Sequence, residues 1–288
     1  MDRKGRALIG YMPREPAIQL LNGSTQPTPE QSAGLAAEWS KYVVRVRERD
    51  EFRSRTPIVS DLPLTVKRAL KAVAARPDLQ ATFAPNTWEV GVVDLSIPVL
   101  TYQTLIQTDD AVQRIGKVLD HDWDSLIDLC LPAQAQVEIE GGFDQSQNAF
   151  TLSSPNPNLR IAGFQAVDVA GSRSDVPPQK VFGFTVGLGS SSVQFAEYQG
   201  RWMVRDGHHR LYGLLAAGVS KVPAVLIRAK TFEETGGGRP GFFGYELLFG
   251  QRPPQFRDFV SDEFSAEVRV RAIRKVVRIR AEEFAILS

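Results

Sequence analysis

The stretch Arg201 to Arg228, RWMVRDGHHRLYGLLAAGVSKVPAVLIR, constrains the fold of this chain more than any other. Trp202 and Val204 alternate with polar neighbours, the period of a half-buried strand. Asp206-Gly207 breaks that period. Aspartate is a good helix N-cap, and glycine lets the backbone turn sharply or approach a ligand. Leu211, Leu214 and Leu215 then recur at helical spacing, which predicts a helix from about His208 to Ala217 with Gly218 as its stop. Pro223 to Ile227 is apolar throughout and too short for a helix, so it reads as a buried strand.

The chemistry of this unit lies in the first helical turn, at Asp206, Gly207, His208, His209 and Arg210. The leading amides of a helix carry partial positive charge and favour an anion. The Arg210 guanidinium can grip a phosphate with two bonds. The histidines add donors whose pKa a phosphate would raise. Two of the three histidines in the chain lie in this turn. Asp206 and His208 are the candidate catalytic residues, Asp206 fixing the turn or holding a cation and His208 donating to phosphate or moving a proton. Gly207, His209 and Arg210 are the candidate phosphate-binding residues. The alternative is an ordinary aspartate cap on an amphipathic helix, since short motifs recur by chance.

The order strand, Gly-x-x-Arg, helix, Gly, Val-Pro, strand resembles the ParB/sulfiredoxin-like superfamily over about Ser191 to Ile227. Here the turn stands as Gly207-His208-His209-Arg210, followed by Gly218 and Val222-Pro223. The resemblance implies a mixed-sheet α+β domain whose turn binds nucleotide phosphates. Sulfiredoxins have Gly-Cys-His-Arg with cysteine as nucleophile; His208 occupies that place here, which departs from sulfiredoxin chemistry. ParB proteins have a Gly-Glu-Arg-Arg type of turn that holds cytidine triphosphate. Small-molecule kinases of the superfamily, acting on free serine, are more similar in their Asp-Gly-His-His-Arg form. The resemblance therefore implies ATP, ADP or CTP as cofactor, magnesium where phosphate is transferred, and a small-molecule substrate.

Charge bears on the rival readings. Lys plus Arg is 34 against 33 for Asp plus Glu, so a net charge of +1 gives no general attraction to nucleic acid. No helix-turn-helix pattern is visible. A nucleotide-switched, DNA-associated regulator is thus the second expectation, and a scaffold with a purely structural turn the third. The lone Cys130 lies in an apolar segment and reads as a buried small hydrophobe. No secretory signal is seen in Met1 to Gly10, and no apolar run nears the ~20 residues of a membrane span. A cytoplasmic protein is expected.

The 288 residues suffice for one large domain or two small ones. Residues 1–85 are expected to form a helical N-terminal region and 86–288 the α+β domain. Met1 to Gln26 reads as loop with a short helix near Ala17 to Leu21. Thr28-Pro29-Glu30 is a strong helix start, continuing to about Phe52, and Leu64 to Ala75 is helical by pattern. Trp88 to Leu100 reads as a strand, Thr104 to Leu119 and Trp123 to Leu131 as helices. His121 lies among aspartates that read as helix caps, with metal binding there as the lesser alternative. Val137 to Leu152 reads as a hairpin with Gly141-Gly142 near the turn, and Ser153 to Ser174 as a loose excursion with a strand at Leu159 to Phe164. Lys180 to Val186 is a strand ending in a Gly/Ser loop at residues 187–192. Val193 to Tyr198 should pair with Trp202 to Arg205, which puts Glu197 on the strand next to the turn. Gly236 to Gly241 reads as a flexible loop, the aromatics after it as core, and Val276 to Ile279 as a late strand.

Overall fold

The computed structural model describes residues 2–109, 111, 115, 118, 120–133, 139–154, 159–169, 179–188, 192–271, 276–280 and 282. Its elements in order are β1 (Asp2–Ala7), α1 (Arg14–Leu21), α2 (Pro29–Glu48), α3 (Leu64–Ala74), α4 (Pro77–Thr82), β2 (Trp88–Asp94), β3 (Leu105–Gln107), α5 (Trp123–Cys130), β4 (Glu140–Asp144), β5 (Ala149–Ser153), β6 (Leu159–Val169), β7 (Gln179–Leu188), β8 (Gln194–Tyr198), β9 (Arg201–Asp206), α6 (His208–Ala216), β10 (Lys221–Arg228), α7 (Tyr245–Leu248), β11 (Ala266–Arg271) and β12 (Val276–Arg280). The chain is a mixed α+β protein. It divides into one unit of Met1–Ala133 with Ser191–Ala272 and another of Gln134–Ser190 with Ile273–Ser288. The boundary expected near residue 85 falls inside the first unit.

The first unit is built on a four-stranded sheet in the order β2-β10-β8-β9. β10 is parallel to β8 and antiparallel to β2, and β8 and β9 are antiparallel neighbours. Gln199 (φ 50°) and Gly200 (φ 75°) close the β8–β9 hairpin, the left-handed pair that a two-residue turn on twisted strands demands. α6 then carries the chain from β9 to the far side of β8. Its stripe residues Leu211 and Leu214 are fully buried, with Phe195, Met203 and Leu226 in the same core. Pro223 is tolerated in β10 because pairing with β8 begins only at Val225. α2 is capped as its sequence predicts: Gln31 N donates to Thr28 Oγ1 at 3.3 Å and Thr28 N donates to Gln31 Oε1 at 3.0 Å. It ends at Glu48, short of the expected Phe52, where Arg49 leaves the helix to pair with the buried Asp258.

A second sheet in this unit, β11-β1-β3, corrects the reading of the N-terminus. The region before residue 26 is not all loop, nor are residues 1–85 wholly helical. β1 carries charges at Arg3, Lys4 and Arg6 that hide any alternation, yet it pairs with β11 along its whole length. Residues 105–107, expected as helix, form a strand because they pair with Gly5–Ala7 of β1. Much of the rest of the 104–119 helix expectation lies outside the described residues.

The second unit contains a sheet of order β12-β5-β4 and the two-stranded ribbon β6-β7. Gly141 and Gly142 lie within β4, shortly before the turn of the hairpin. The chain turns at residues 145–148, where Asp144 Oδ1 accepts from Ser146 N at 2.9 Å and Asn148 takes φ 46°. β6 runs on to Val169, beyond the expected Phe164. Residues 189–191 of the Gly/Ser loop lie outside the described residues. Among the described residues, no helix is long and apolar enough to cross a membrane.

Candidate functional site

The end of β9 meets the start of α6 at Gly207, which sits at φ 88°, ψ 14°. That conformation favours glycine, and a Cβ there would approach Val193 Cγ2 to 2.8 Å. Both facts require the missing side chain. The N-cap of α6 is thus Gly207, not Asp206 as the sequence suggested. The Asp206 carboxylate accepts from the Gly207 amide at 2.7 Å and fixes the turn one residue earlier.

The five candidate residues do not share one surface. His208 is 7% exposed, with its ring 5.5 Å from that of Tyr102 and 6.0 Å from that of Phe256. Its Nε2 is buried and has no hydrogen-bond partner. Burial, then the neighbouring His209, pushes its pKa down to about 3, so the ring is neutral at ordinary pH. His209 is exposed. Arg210 Nη1 donates to Leu129 O at 2.8 Å, in the last turn of α5, where helix carbonyls lack intrahelical partners. Arg210 therefore ties two helices together, rather than facing solvent throughout.

The structure brings to this turn a loop that the sequence reading left apart. Residues 236–241 pack against the end of β9. A Cβ on Gly236 (φ 89°) would meet the Tyr102 hydroxyl at 2.7 Å and Arg205 Cγ at 3.4 Å. Tyr102 donates to Arg205 O, stacks on Phe242 at 4.8 Å and accepts through its carbonyl from Phe243 N at 2.8 Å. Arg205 Nε donates to Glu234 O at 3.0 Å, its Nη1 to Gln194 Oε1 at 2.6 Å, and Thr104 Oγ1 to Gly241 O at 3.1 Å. The loop is thus fastened at both ends. Burial raises the Tyr102 pKa first; the charge of Asp206 raises it further, while Arg205 and Arg239 lower it. Those three charges accordingly gather near one hydroxyl. Arg239 is exposed at the loop tip; its carbonyl accepts from Phe242 N at 3.1 Å, while its guanidinium forms no ion pair or hydrogen bond among the described residues. The signal for it was the run Gly236-Gly237-Gly238-Arg239, whose partners are remote in sequence.

Glu197 does not reach the turn. The β8–β9 register sets Gln194 opposite Asp206 and leaves Glu197 at the hairpin end, where it accepts from Gly200 N at 2.6 Å and pairs with Arg228 at 3.3 Å. Cys130 is fully buried, and burial pushes its thiol up to about 12. Among the described residues, no three His, Cys, Asp or Glu side chains converge as metal ligands.

Clefts among the described residues open on the first unit. One of about 630 Å³ lies between α3 and β2, one of about 1080 Å³ is lined by five arginines and three acids near residues 48–55, and one of about 280 Å³ adjoins His121. None of these three is lined by residues 206–210. Comparison with protein-family models, with curated proteins and with solved structures finds no match for this chain.

Proposed function

We propose that the corner made by residues 206–210 and 236–241 binds the phosphate groups of a nucleotide. In this reading the first unit is a domain of ParB/sulfiredoxin-like type, and phosphoryl transfer to a small molecule is the reaction it serves. The observation that carries it is a guanidinium, Arg239, unpaired among the described residues, on a glycine-rich loop fastened beside the glycine turn that opens α6. Each part suits phosphate for its own reason. A nine-residue helix presents its leading amides and the positive end of its dipole. Glycines allow an anion to come close to the backbone. A guanidinium matches phosphate oxygens with paired donors. His209 stands exposed on the same first turn and adds a donor.

The roles of the other residues follow from their surroundings. Asp206 is the carboxylate at the corner and would hold a magnesium ion accompanying a nucleotide, which supplies charge neutralisation on the phosphates. His208 supports the turn from inside; its buried, neutral ring gives the helix start a fixed wall. Arg210 positions α6 against α5. Transfer of a phosphoryl group depends mainly on positioning and charge stabilisation, which these parts can supply without a covalent intermediate.

The test is thermal unfolding of the full chain with ATP, ADP, CTP and inorganic triphosphate, each with and without magnesium. A ligand at 100 times its Kd contributes about 2.7 kcal/mol, a rise in Tm on the order of 5 °C for a chain of this size. Arg239→Gln should remove most of the rise without changing the unliganded Tm. If no nucleotide raises the wild-type Tm, or Arg239→Gln leaves the rise intact, the proposal fails.

A further inference from the structure

We propose that the groove between α3 and the outer edge of β2 accepts a short extended peptide carrying an acidic residue, which pairs with β2 as an added strand. The argument begins with the edge itself. β2 is the last strand of its sheet, and its inner side is fully paired with β10. The bonds from Arg228 N to Thr87 O and from Leu95 N to Ser220 O show that odd-numbered residues of this segment turn their backbone groups to β10. Even-numbered residues turn theirs outward. The chain covers only part of that outer edge: Val59 N donates to Val92 O, Asp94 N donates to Pro57 O, and the bridge from Ile58 to Val93 stands alone. Beyond Val59 the segment leaves β2, and no strand among the described residues pairs with the outward groups of Trp88 and Val90.

A cleft of about 630 Å³ opens at the uncovered half, within the size range of roughly 300–1,000 Å³ for ligand sites. Its floor is apolar, with Leu70, Trp88, Val90 and Leu226 among its lining residues. Lys67 and Lys71, one helical turn apart on α3, form its charged wall, and neither makes an ion pair among the described residues. The one acid in the lining, Glu89, lies 3.8 Å from Arg228. An open strand edge selects an extended backbone, an apolar floor selects alternate apolar side chains, and two free lysines select an acid. This inference stands independently of the phosphate corner.

The probe is a random heptapeptide library displayed on phage and selected on the full chain, followed by anisotropy of the best labelled peptide. Enriched sequences should alternate apolar residues with Asp or Glu and lack proline. Lys67→Glu with Lys71→Glu, both exposed and safe for folding, should weaken binding at least tenfold. N-methylation of the peptide at alternate amides tests the pairing without touching the protein. Methyl groups on one set of alternate amides should abolish binding, and on the other set should leave it within about twofold. No competing peptide, binding indifferent to the lysine reversals, or equal effects of both N-methyl sets would each overturn the proposal. Arg239→Gln, at an exposed residue, should leave peptide binding unchanged, which separates this groove from the phosphate corner.

Discussion

His208 is an imidazole held in a wall of Tyr102 and Phe256, and its burial should appear as acid sensitivity. Burial pushes its pKa in the folded chain down to about 3 from the ordinary 6.5. Between those values the unfolded chain binds a proton that the folded chain refuses, so stability falls as pH falls from about 6.5 toward 3 and is unaffected above that window. The slope from this one group approaches 1.4 kcal/mol per pH unit in the middle of the window. His208→Phe keeps a ring in the wall and removes the titration. Urea unfolding of wild type and variant between pH 7 and 4 should give curves whose difference narrows or reverses toward acid by about 2 kcal/mol or more. Parallel curves would mean that the folded protein accepts the proton, and that the ring reaches water or a partner. The same residue shows what sequence could not deliver. One polar side chain in a first helical turn reads as exposed, and only the packing of Phe256, remote in sequence, turns it inward.

At the scale of elements, α6 is held by a close approach that its own sequence opposes. Gly213 lies mid-helix, where alanine would be favoured by about 1 kcal/mol on propensity alone. A Cβ there, however, would come within 2.5 Å of Ala111 O and press on the Ile115 side chain. Overpacking of this kind costs about 1–3 kcal/mol, so Gly213→Ala should destabilise despite its better propensity. A higher midpoint in guanidinium for the alanine variant would count against that close packing. The hairpin of β8 and β9, the helix after it and the cap of α2 were legible because their signals are local: a period, a turn pair, a capping threonine. β1 and β3 were not, because they are strands only through the partners they find in each other and in β11. The candidate site divides along the same line. Gly207 was legible from its dipeptide, whereas the loop that carries Arg239 depends on contacts with Tyr102 and Arg205 made across the fold.

Over the whole molecule, the two units differ in what shields their backbone. In the first, β8 and β10 are interior strands, and Phe195, Ala196, Ala224 and Val225 are wholly buried. In the second, β6 and β7 pair only with each other among the described residues, and Phe164, Phe182 and Phe184 are 58%, 58% and 46% exposed. Phe164 pairs directly with Phe184, and Phe182 follows two residues along, so all three lie on one face of the ribbon. A two-stranded ribbon is marginal in water, and rings left half in solvent add little to it. Local opening there should need far less free energy than global unfolding. Amide hydrogen exchange followed by mass spectrometry should therefore separate the two regions. Peptides from residues 159–169 and 179–188 should exchange within minutes at neutral pH. Peptides from residues 194–206 and 221–228 should exchange only at the rate set by global unfolding, and should slow further when a nucleotide stabilises the first unit. Equal protection in both regions would mean that the aromatic face of the ribbon is covered in solution. The size of the particle by light scattering would then show whether a second copy of the chain covers it.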